Sequence, residues 1–274
     1  MSWTARIQNP IHLCKPAMRA MKNGLVISAK AGVRAGINLL LPPRCVYCDA
    51  DMLDPADAIF LCEECRNSLA PPTRARCRRC GSVVPQVEGL SPPEDCPRCR
   101  ELRLRLDAAV ALGCYENELR LAVLRMKRPT GRSLALAMGR LLAAQCRQQL
   151  ADLAPTLIVP VPPHWFHYLQ RGANSPDILA RCLQPDLGVA VSQRAVVRCR
   201  NTLLQSGLSP NERFKNMRGA FRCRPNYVIE GARILLVDDV LTTGATCSAI
   251  AAVLKKGGAA WVGSAVLARA HGDV

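Results

Sequence analysis

The sequence predicts an α/β protein, in which a parallel sheet with flanking helices follows a small cysteine-rich module. Two observations lead to this fold class. After residue 104, apolar runs of strand length alternate with stretches of helical periodicity, as expected for strands buried on both faces of a parallel sheet. Before that point, residues 44–99 hold eight paired cysteines among prolines and glycines and have poor periodicity of either kind.

These differences divide the chain of 274 residues into three parts. Residues 1–40 form a basic N-terminal segment, residues 41–103 the cysteine-rich module and residues 104–274 the α/β domain. Hydrophobic residues make up 49% of the chain and charged residues 21%, which is enough apolar material for a folded core. For residues 1–40, a partly ordered lead-in and an interaction arm are equally open interpretations.

Each element of the α/β domain has its own local signal. Strands are predicted where Val, Ile, Leu and Ala run without interruption, and helices where apolar residues recur every three or four positions. Residues 198–226 are basic and polar, with no predicted regular element. In chain order we predict a strand over 108–115, helices over 119–127 and 133–150, a strand over 156–161, a helix over 176–183, a short strand over 195–197, a strand over 233–237, a helix over 246–256 and a strand over 260–267.

Positive charge is concentrated in two regions. The chain has 37 Lys and Arg against 21 Asp and Glu, a net charge of +16. Residues 1–40 hold six basic residues and no acid, and residues 191–232 hold eight against two. A basic field of this kind attracts nucleic acid, phosphorylated small molecules or an anionic membrane surface, and the alternative is a solubilising surface.

The longest apolar stretch does not predict a membrane span. Residues 24–41 are interrupted by Lys30 and Arg34 and are shorter than the ~20 apolar residues that a spanning helix needs. They also lack the compact apolar core and cleavage site of a secretory signal. We therefore expect a cytoplasmic protein, whose 15 cysteines favour metal ligation over disulfides because the compartment is reducing.

The cysteine-rich module is predicted to hold two Zn²⁺ ions. Each Cys-x-x-Cys pair places two thiolates on one tight turn, and two such turns complete a tetrahedral site with no open position for chemistry. The spacing favours a sequential grouping but leaves an interleaved pairing open. The expected ligands are Cys45, Cys48, Cys62 and Cys65 in the first site, and Cys77, Cys80, Cys96 and Cys99 in the second.

Residues 234–246 form the most informative stretch of the chain. An apolar strand leads into two adjacent acids, and a glycine-containing turn rich in threonine then opens a helix. Backbone N–H groups and the helix N-terminus make such a turn a monophosphate site, and the carboxylates can accept hydrogen bonds from sugar hydroxyls and attract Mg²⁺. The alternative is a plain helix entry with capping residues. The predicted binding residues are Asp238, Asp239, Thr242, Thr243, Gly244, Ala245 and Thr246.

This run resembles, at every position, the motif with which type I phosphoribosyltransferases bind phosphoribosyl pyrophosphate (PRPP). Further motifs precede it, namely Pro-Pro-Arg-Cys at 42–45, the paired cysteines, residues 124–127, Val-Pro-Val-Pro at 159–162, Arg-Gly-Ala-Asn at 171–174, Gln-Ser-Gly-Leu at 205–208, Arg213, Asn216 and Arg-Gly-Ala-Phe at 218–221. In this order they resemble the ComF family, which joins a double zinc ribbon to a type I phosphoribosyltransferase-like domain. The resemblance covers about residues 38–270.

The resemblance implies further site residues. The turn after the second predicted strand would meet pyrophosphate, and residues 198–222, which we call the hood segment, would close over PRPP and exclude water. The implied PRPP-binding residues are Lys127, Val161, Pro162, Arg171, Gly172 and Asn174. Those of the hood segment are Arg200, Gln205, Arg213, Lys215 and Arg218.

Three functional hypotheses follow. The resemblance implies a PRPP-binding protein that acts with single-stranded DNA in DNA uptake during natural transformation, with DNA-uptake or recombination proteins as partners. In that case residues 1–40 and the hood segment would contact DNA. The alternatives are a Mg²⁺-dependent phosphoribosyltransferase with an unknown acceptor, for which the sequence identifies no catalytic residue, and a PRPP sensor without turnover.

Overall fold

The computed structural model describes residues 42–52, 57–72, 74–85, 93, 95–102, 104–163, 174–203, 207–225 and 227–270. The predicted N-terminal segment 1–40 lies outside these residues, as does the apolar stretch 24–41. Within the described part of the chain, no helix has both the length and the apolar character needed to cross a lipid bilayer.

A five-stranded sheet forms the centre of the α/β domain, and all of its strand pairs are parallel. The strand order across the sheet is β1-β7-β6-β2-β3. This confirms the predicted fold class, a parallel sheet with flanking helices. The strands of the sheet are β1 (Ala108–Cys114), β2 (Leu157–Pro160), β3 (Ala190–Val191), β6 (Arg233–Leu241) and β7 (Trp261–Arg269), and β4 (Val196–Arg198) and β5 (Phe221–Cys223) form a separate antiparallel hairpin.

The four helices predicted from the sequence are present, with two differences, and three further helices were not predicted. The predicted helix over 133–150 is two helices that meet at Cys146, and no proline or glycine marks that break in the sequence. The helix predicted to end at 183 continues through Pro185 until Gly188, whose left-handed φ of 66° terminates it. The helices are α1 (Glu63–Leu69), α2 (Pro97–Leu102), α3 (Asn117–Met126), α4 (Arg132–Gln145), α5 (Arg147–Asp152), α6 (Ser175–Leu187), α7 (Pro210–Met217) and α8 (Ala245–Lys256).

The sheet is buried on both faces because alternate side chains of each strand point to opposite sides. One face packs against α3, α4 and α6 and includes Val110, Leu112, Leu235, Val237 and Leu267. The other packs against α8 and the β4–β5 hairpin and includes Ala111, Leu236, Val262 and Val266. The predicted strands read as continuous apolar runs for this reason.

The cysteine-rich module packs against the edge of the sheet. The Ala109 N–H of edge strand β1 donates to the carbonyl of Arg78 at 2.8 Å. Gly81, with a left-handed φ of +69°, brings the turn so close that an added Cβ would lie 3.6 Å from Ala109. A free strand edge invites pairing with other chains, so this contact protects it.

The hood segment contains regular structure that we did not predict. Helix α7 begins with a capping box, in which Ser209 accepts from the N–H of Glu212 while the Glu212 carboxylate accepts from the N–H of Ser209. The Ser-Pro-x-Glu signal was present in the sequence but was obscured by the polar character of the segment. Phe214 of this helix packs against the core cluster that holds the last four paired cysteines.

Candidate functional site

The eight paired cysteines lie in two separate clusters with the sequential grouping. In the first cysteine cluster (Cys45, Cys48, Cys62, Cys65) and in the second (Cys77, Cys80, Cys96, Cys99), all four sulfur atoms lie within 4.8 Å of one another. The interleaved pairing that the spacing left open is not the one in the structure. All four cysteines of the second cluster are buried, whereas Cys48 of the first is exposed.

The sulfur positions fit a tetrahedral Zn²⁺ site. Zn–S bonds of about 2.3 Å place neighbouring sulfurs about 3.8 Å apart. The sulfur of Cys48 lies 3.7 Å from that of Cys62, and the sulfur of Cys80 lies 3.5 Å from that of Cys96. These separations exceed a disulfide bond of about 2.05 Å, so both clusters are four-thiol sites suited to Zn²⁺.

Two acidic side chains lie near the carboxyl end of β6. We predicted that Asp238 and Asp239 follow the strand, but the strand continues through them to Leu241 because β7 pairs with it that far. Both residues are partly buried, and the Asp238 carboxylate accepts a hydrogen bond from the Asp239 N–H at 2.9 Å. Both carboxylates are therefore fixed by sheet geometry.

Lys127 joins this carboxylate pair from another part of the fold. It caps the C-terminus of α3, and its ammonium nitrogen lies 3.0 Å from a carboxylate oxygen of Asp239. Burial opposes its charge, but the carboxylates of Asp239 and Asp238 outweigh that effect and raise the pKa of Lys127. Lys127 therefore stays protonated and offsets part of the negative charge of the pair.

Asp238 has a strongly perturbed ionisation. Desolvation, followed by repulsion from the Asp239 carboxylate, raises the pKa of Asp238 to about 7. The positive charges of Lys127 and Arg198 act in the opposite direction. A carboxyl group that titrates near neutral pH at the carboxyl end of a parallel strand is typical of a functional site.

The turn after β6 contains a left-handed glycine directly before a helix N-terminus. We call residues 242–246 the phosphate loop, and its last two residues are the first two of α8. Gly244, which directly precedes the helix, has a left-handed φ of 81°. Thr243 is buried, and its hydroxyl accepts from the Ala245 N–H at 3.3 Å. Thr242 and Thr246 are only partly buried. The loop thus combines a helix N-terminus with partly accessible hydroxyl groups.

Arg198 belongs to this site, although the sequence analysis did not select it. It ends β4 and lies over the ring of Phe221, 4.8 Å from its centroid, and donates to the Thr202 hydroxyl at 2.9 Å. Its buried Nε has no hydrogen-bond partner among the described residues. Burial lowers the pKa of Arg198 and the Asp238 charge opposes that effect, so the two side chains interact electrostatically.

The predicted pyrophosphate side is described in part. The Val161 N–H donates to the Val237 carbonyl at 2.9 Å, which places Val161 and Pro162 beside β6 at the carboxyl end of the sheet. Asn174 directly precedes α6, which begins at that same end because it follows a parallel strand. Arg171 and Gly172 lie outside the described residues.

The basic residues of the hood segment fall into two groups, those that are hydrogen-bonded to the backbone of the segment and those that are exposed. Arg200 donates to the carbonyls of Asn216 and Arg218, at 2.6 and 2.9 Å, and Arg213 donates to the carbonyl of Leu208 at 2.9 Å. These two therefore hold the segment together, rather than only facing a polyanion as we expected. Lys215 and Arg218 are exposed. Gln205 lies outside the described residues.

A second arginine missed by the sequence analysis lies beneath the phosphate loop. Arg269, the last residue of β7, is buried to 1% exposure and donates to the carbonyl of Leu241 at 2.8 Å and to that of Thr242. In the sequence it is only a charge at the end of an apolar run, and no local pattern identifies its partners.

Comparison with known proteins agrees with this architecture. Residues 36–100 match the double zinc ribbon domain, and residues 134–273, about half of the chain, match the phosphoribosyl transferase domain. The purine phosphoribosyltransferase structure from Pyrococcus horikoshii aligns with a TM-score of 0.33 and 20% identity over 48% of this chain and 73% of that one. The family assignment does not depend on that alignment.

Two bacterial proteins are similar to about three quarters of the chain. The DNA utilization protein YhgH of Salmonella typhimurium is 32% identical over 214 residues, which are 74% of this chain and 93% of that protein. Competence protein F of Haemophilus influenzae is 29% identical over 217 residues, which are 78% of this chain and 91% of that protein. With its two four-cysteine clusters and its phosphoribosyl transferase domain, the chain belongs to the ComF family.

Proposed function

We propose that the chain binds PRPP together with Mg²⁺ and acts with single-stranded DNA in DNA uptake. The observation that carries the proposal is the pairing of two partly buried carboxylates with a phosphate loop at the carboxyl end of β6. In this proposal the loop binds the 5-phosphate, and Asp238 and Asp239 accept hydrogen bonds from the ribose hydroxyls.

The charges around the carboxylates support a ligand with both phosphate and metal. Lys127 and Arg198 bring two positive charges to the site, and the buried Nε of Arg198 has no partner in the described part of the chain. These two positive charges would attract the phosphate groups of a bound ligand. Carboxylate and phosphate oxygens are the ligands that Mg²⁺ prefers, so PRPP would bring Mg²⁺ with it.

Support for the DNA role comes from the relatives and from charge. The names of the relatives refer to DNA utilization and competence. In this chain, Lys215, Arg218, Arg222 and Arg224 are exposed on α7 and around the β4–β5 hairpin. Exposed cations of this kind are suited to contact the phosphate backbone of single-stranded DNA. Binding through such contacts depends strongly on salt concentration.

Thermal unfolding tests PRPP binding. PRPP and Mg²⁺ at about 100 times the dissociation constant should stabilise the protein by about 2.7 kcal/mol, which raises the melting temperature by roughly 5–10 °C. Asp238→Asn with Asp239→Asn should lose the shift. Asp186→Asn is the matched control, because this carboxylate pairs with Arg147 on the protein surface. An unchanged melting temperature in the parent protein would refute PRPP binding.

Titration of a fluorescent single-stranded oligonucleotide tests the DNA role. Replacing Lys215 and Arg218 by alanine should weaken binding and reduce the slope of log affinity against log salt by about one to two. Replacing Arg120 and Arg132, which are exposed on α3 and α4, removes the same charge elsewhere. Equal losses from both pairs would show that binding follows net charge and not the hood segment.

One observation favours a second candidate function, an active phosphoribosyltransferase. Asp238, with its pKa raised to about 7, could exchange a proton with substrate near neutral pH. Steady release of pyrophosphate from PRPP upon addition of bases, amines or single-stranded DNA would establish turnover. If PRPP binds but pyrophosphate is not released with any of these acceptors, the protein is a PRPP sensor.

A further inference from the structure

Arg269 connects the second cysteine cluster to the phosphate loop. Its Nε donates to the carbonyl of Cys80 at 2.7 Å, and its Nη1 donates to the carbonyls of Leu241 at 2.8 Å and of Thr242. Cys80 belongs to the cluster, and Thr242 is the first residue of the loop. One buried side chain thus contacts the backbone of both sites.

The chemistry of arginine suits this position. A buried cation is costly unless its donors are satisfied, and a guanidinium offers five N–H donors in a rigid planar fork. Lysine has a single nitrogen, which cannot reproduce two diverging directions. The fork fixes the distance between the Cys80 and Thr242 carbonyls, because both must lie at hydrogen-bond length from one planar group.

Two further contacts join the same parts of the fold. Leu104 packs with the cysteines of the second cluster, and an added Cβ at Gly244 would lie 2.9 Å from its Cδ2. The N–H of Arg105 donates to the Ser248 hydroxyl in the first turn of α8 at 3.0 Å. The phosphate loop and the start of α8 therefore contact the residues that directly follow the second cluster.

The first cysteine cluster has different neighbours. Cys45 and Cys65 belong to the core on the α3 side of the sheet. Tyr47 contacts that helix, where its hydroxyl donates to the Glu118 carboxylate and its carbonyl accepts from Arg125 at 2.8 Å. Among the described residues these contacts reach α3 and not the phosphate loop, so the two clusters can be compared within one protein.

We propose that Arg269 is a positioning residue for the phosphate loop, and that it makes the conformation of this loop depend on the folded second cysteine cluster. The effect on PRPP affinity rests on the proposed function. The effect on the loop itself does not, because it concerns hydrogen bonds within the protein.

Hydrogen–deuterium exchange of full-length, zinc-loaded protein tests the proposal. In Arg269→Lys, exchange in residues 241–246 should be at least tenfold faster than in the parent protein. PRPP affinity should fall at least tenfold with two zinc ions still bound. Arg233→Lys is the matched control, because Arg233 donates to the carbonyls of Leu153 and Ala154 at 2.8 and 3.1 Å at the opposite end of the sheet. Its loop exchange and PRPP affinity should change less than twofold.

A second pair of variants covers the case in which Arg269→Lys fails to fold. Cys99→Ser in the second cluster should speed exchange in residues 241–246 at least tenfold, and Cys48→Ser in the first cluster less than twofold. Equal exchange rates in both variants, or parent-like loop exchange in folded Arg269→Lys, would overturn the proposal. If the parent protein does not bind PRPP, the proposed function fails, while loop exchange still decides the role of Arg269.

Discussion

The ammonium nitrogen of Lys127 lies 3.0 Å from a carboxylate oxygen of Asp239, across the carboxyl end of the sheet. The contact ties the end of α3 to β6, two elements that are distant in sequence. Both side chains are largely shielded from water, so the pair is less screened than a surface ion pair. It places a fixed positive charge beside a site proposed to bind a polyanion.

Removing that charge should change the ionisation of Asp238. Since Lys127 lowers the pKa of Asp238, Lys127→Met should raise this pKa above its value of about 7. NMR titration of the Asp238 carboxyl carbon measures the change. Lys255→Met is the control, because Lys255 pairs with Asp107 at 2.6 Å, outside the site. An unchanged Asp238 titration in Lys127→Met would contradict the assigned electrostatics.

The pKa of Asp238 also predicts how stability depends on pH. The folded protein keeps this proton up to about pH 7, whereas an unfolded Asp releases it near pH 3.9. The folded state therefore binds more protons between these values, and stability falls as the pH rises through the folded pKa. From pH 6 to pH 8 the parent should lose about 1 kcal/mol, roughly 2–4 °C in melting temperature, relative to Asp238→Asn. Parallel stability curves for the two proteins would show that Asp238 ionises normally.

Metal content should follow the two clusters independently. The zinc-loaded protein should contain two zinc ions per chain, because both four-sulfur clusters fit the tetrahedral geometry. Cys65→Ser should remove one ion by elemental analysis and lower the melting temperature, since structural zinc contributes directly to folding. Cys199→Ser, a change at an exposed cysteine outside both clusters, should keep two. A parent protein with fewer than two ions would contradict the assignment.

Gly244, the glycine of the phosphate loop, should tolerate substitution less well than Gly231. Gly244→Ala places a side chain at a left-handed φ of 81° and 2.9 Å from Leu104. Gly231→Ala has a similar φ of +68° but meets nothing within 4 Å, so it isolates the backbone strain of about 1–2 kcal/mol. Thermal unfolding should show a larger loss for Gly244→Ala, and only this variant should lose the stabilisation by PRPP. Equal losses would mean that Leu104 moves away without cost.

The parallel sheet could be predicted from sequence because its strands are buried on both faces, which leaves an unbroken apolar signal. Helix α7 was missed because its polar face dominates, although the capping residues Ser209 and Glu212 marked its start. The break at Cys146 has no sequence signal at all. The predicted division into residues 41–103 and 104–274 remains a prediction.

The candidate site was predictable where it is continuous in sequence, as in residues 234–246. Arg198 and Arg269 could not be selected, because their roles depend on partners brought close only by the fold. Arg200 was implied by the family resemblance as a site residue, but its hydrogen bonds go to backbone carbonyls of the hood segment. A charge pattern in the sequence shows where the basic side chains are. It does not show whether their hydrogen-bond donors contact a ligand or backbone carbonyls of the protein.

The hydrogen bond from Ala109 to the Arg78 carbonyl has a consequence for how this protein can be divided. A shortened chain that begins at residue 104 would expose one whole side of β1, with its unpaired N–H and C=O groups available to any other extended chain. We expect such a fragment to self-associate through that edge. The cysteine-rich module therefore covers an edge of the sheet that such a fragment would leave open.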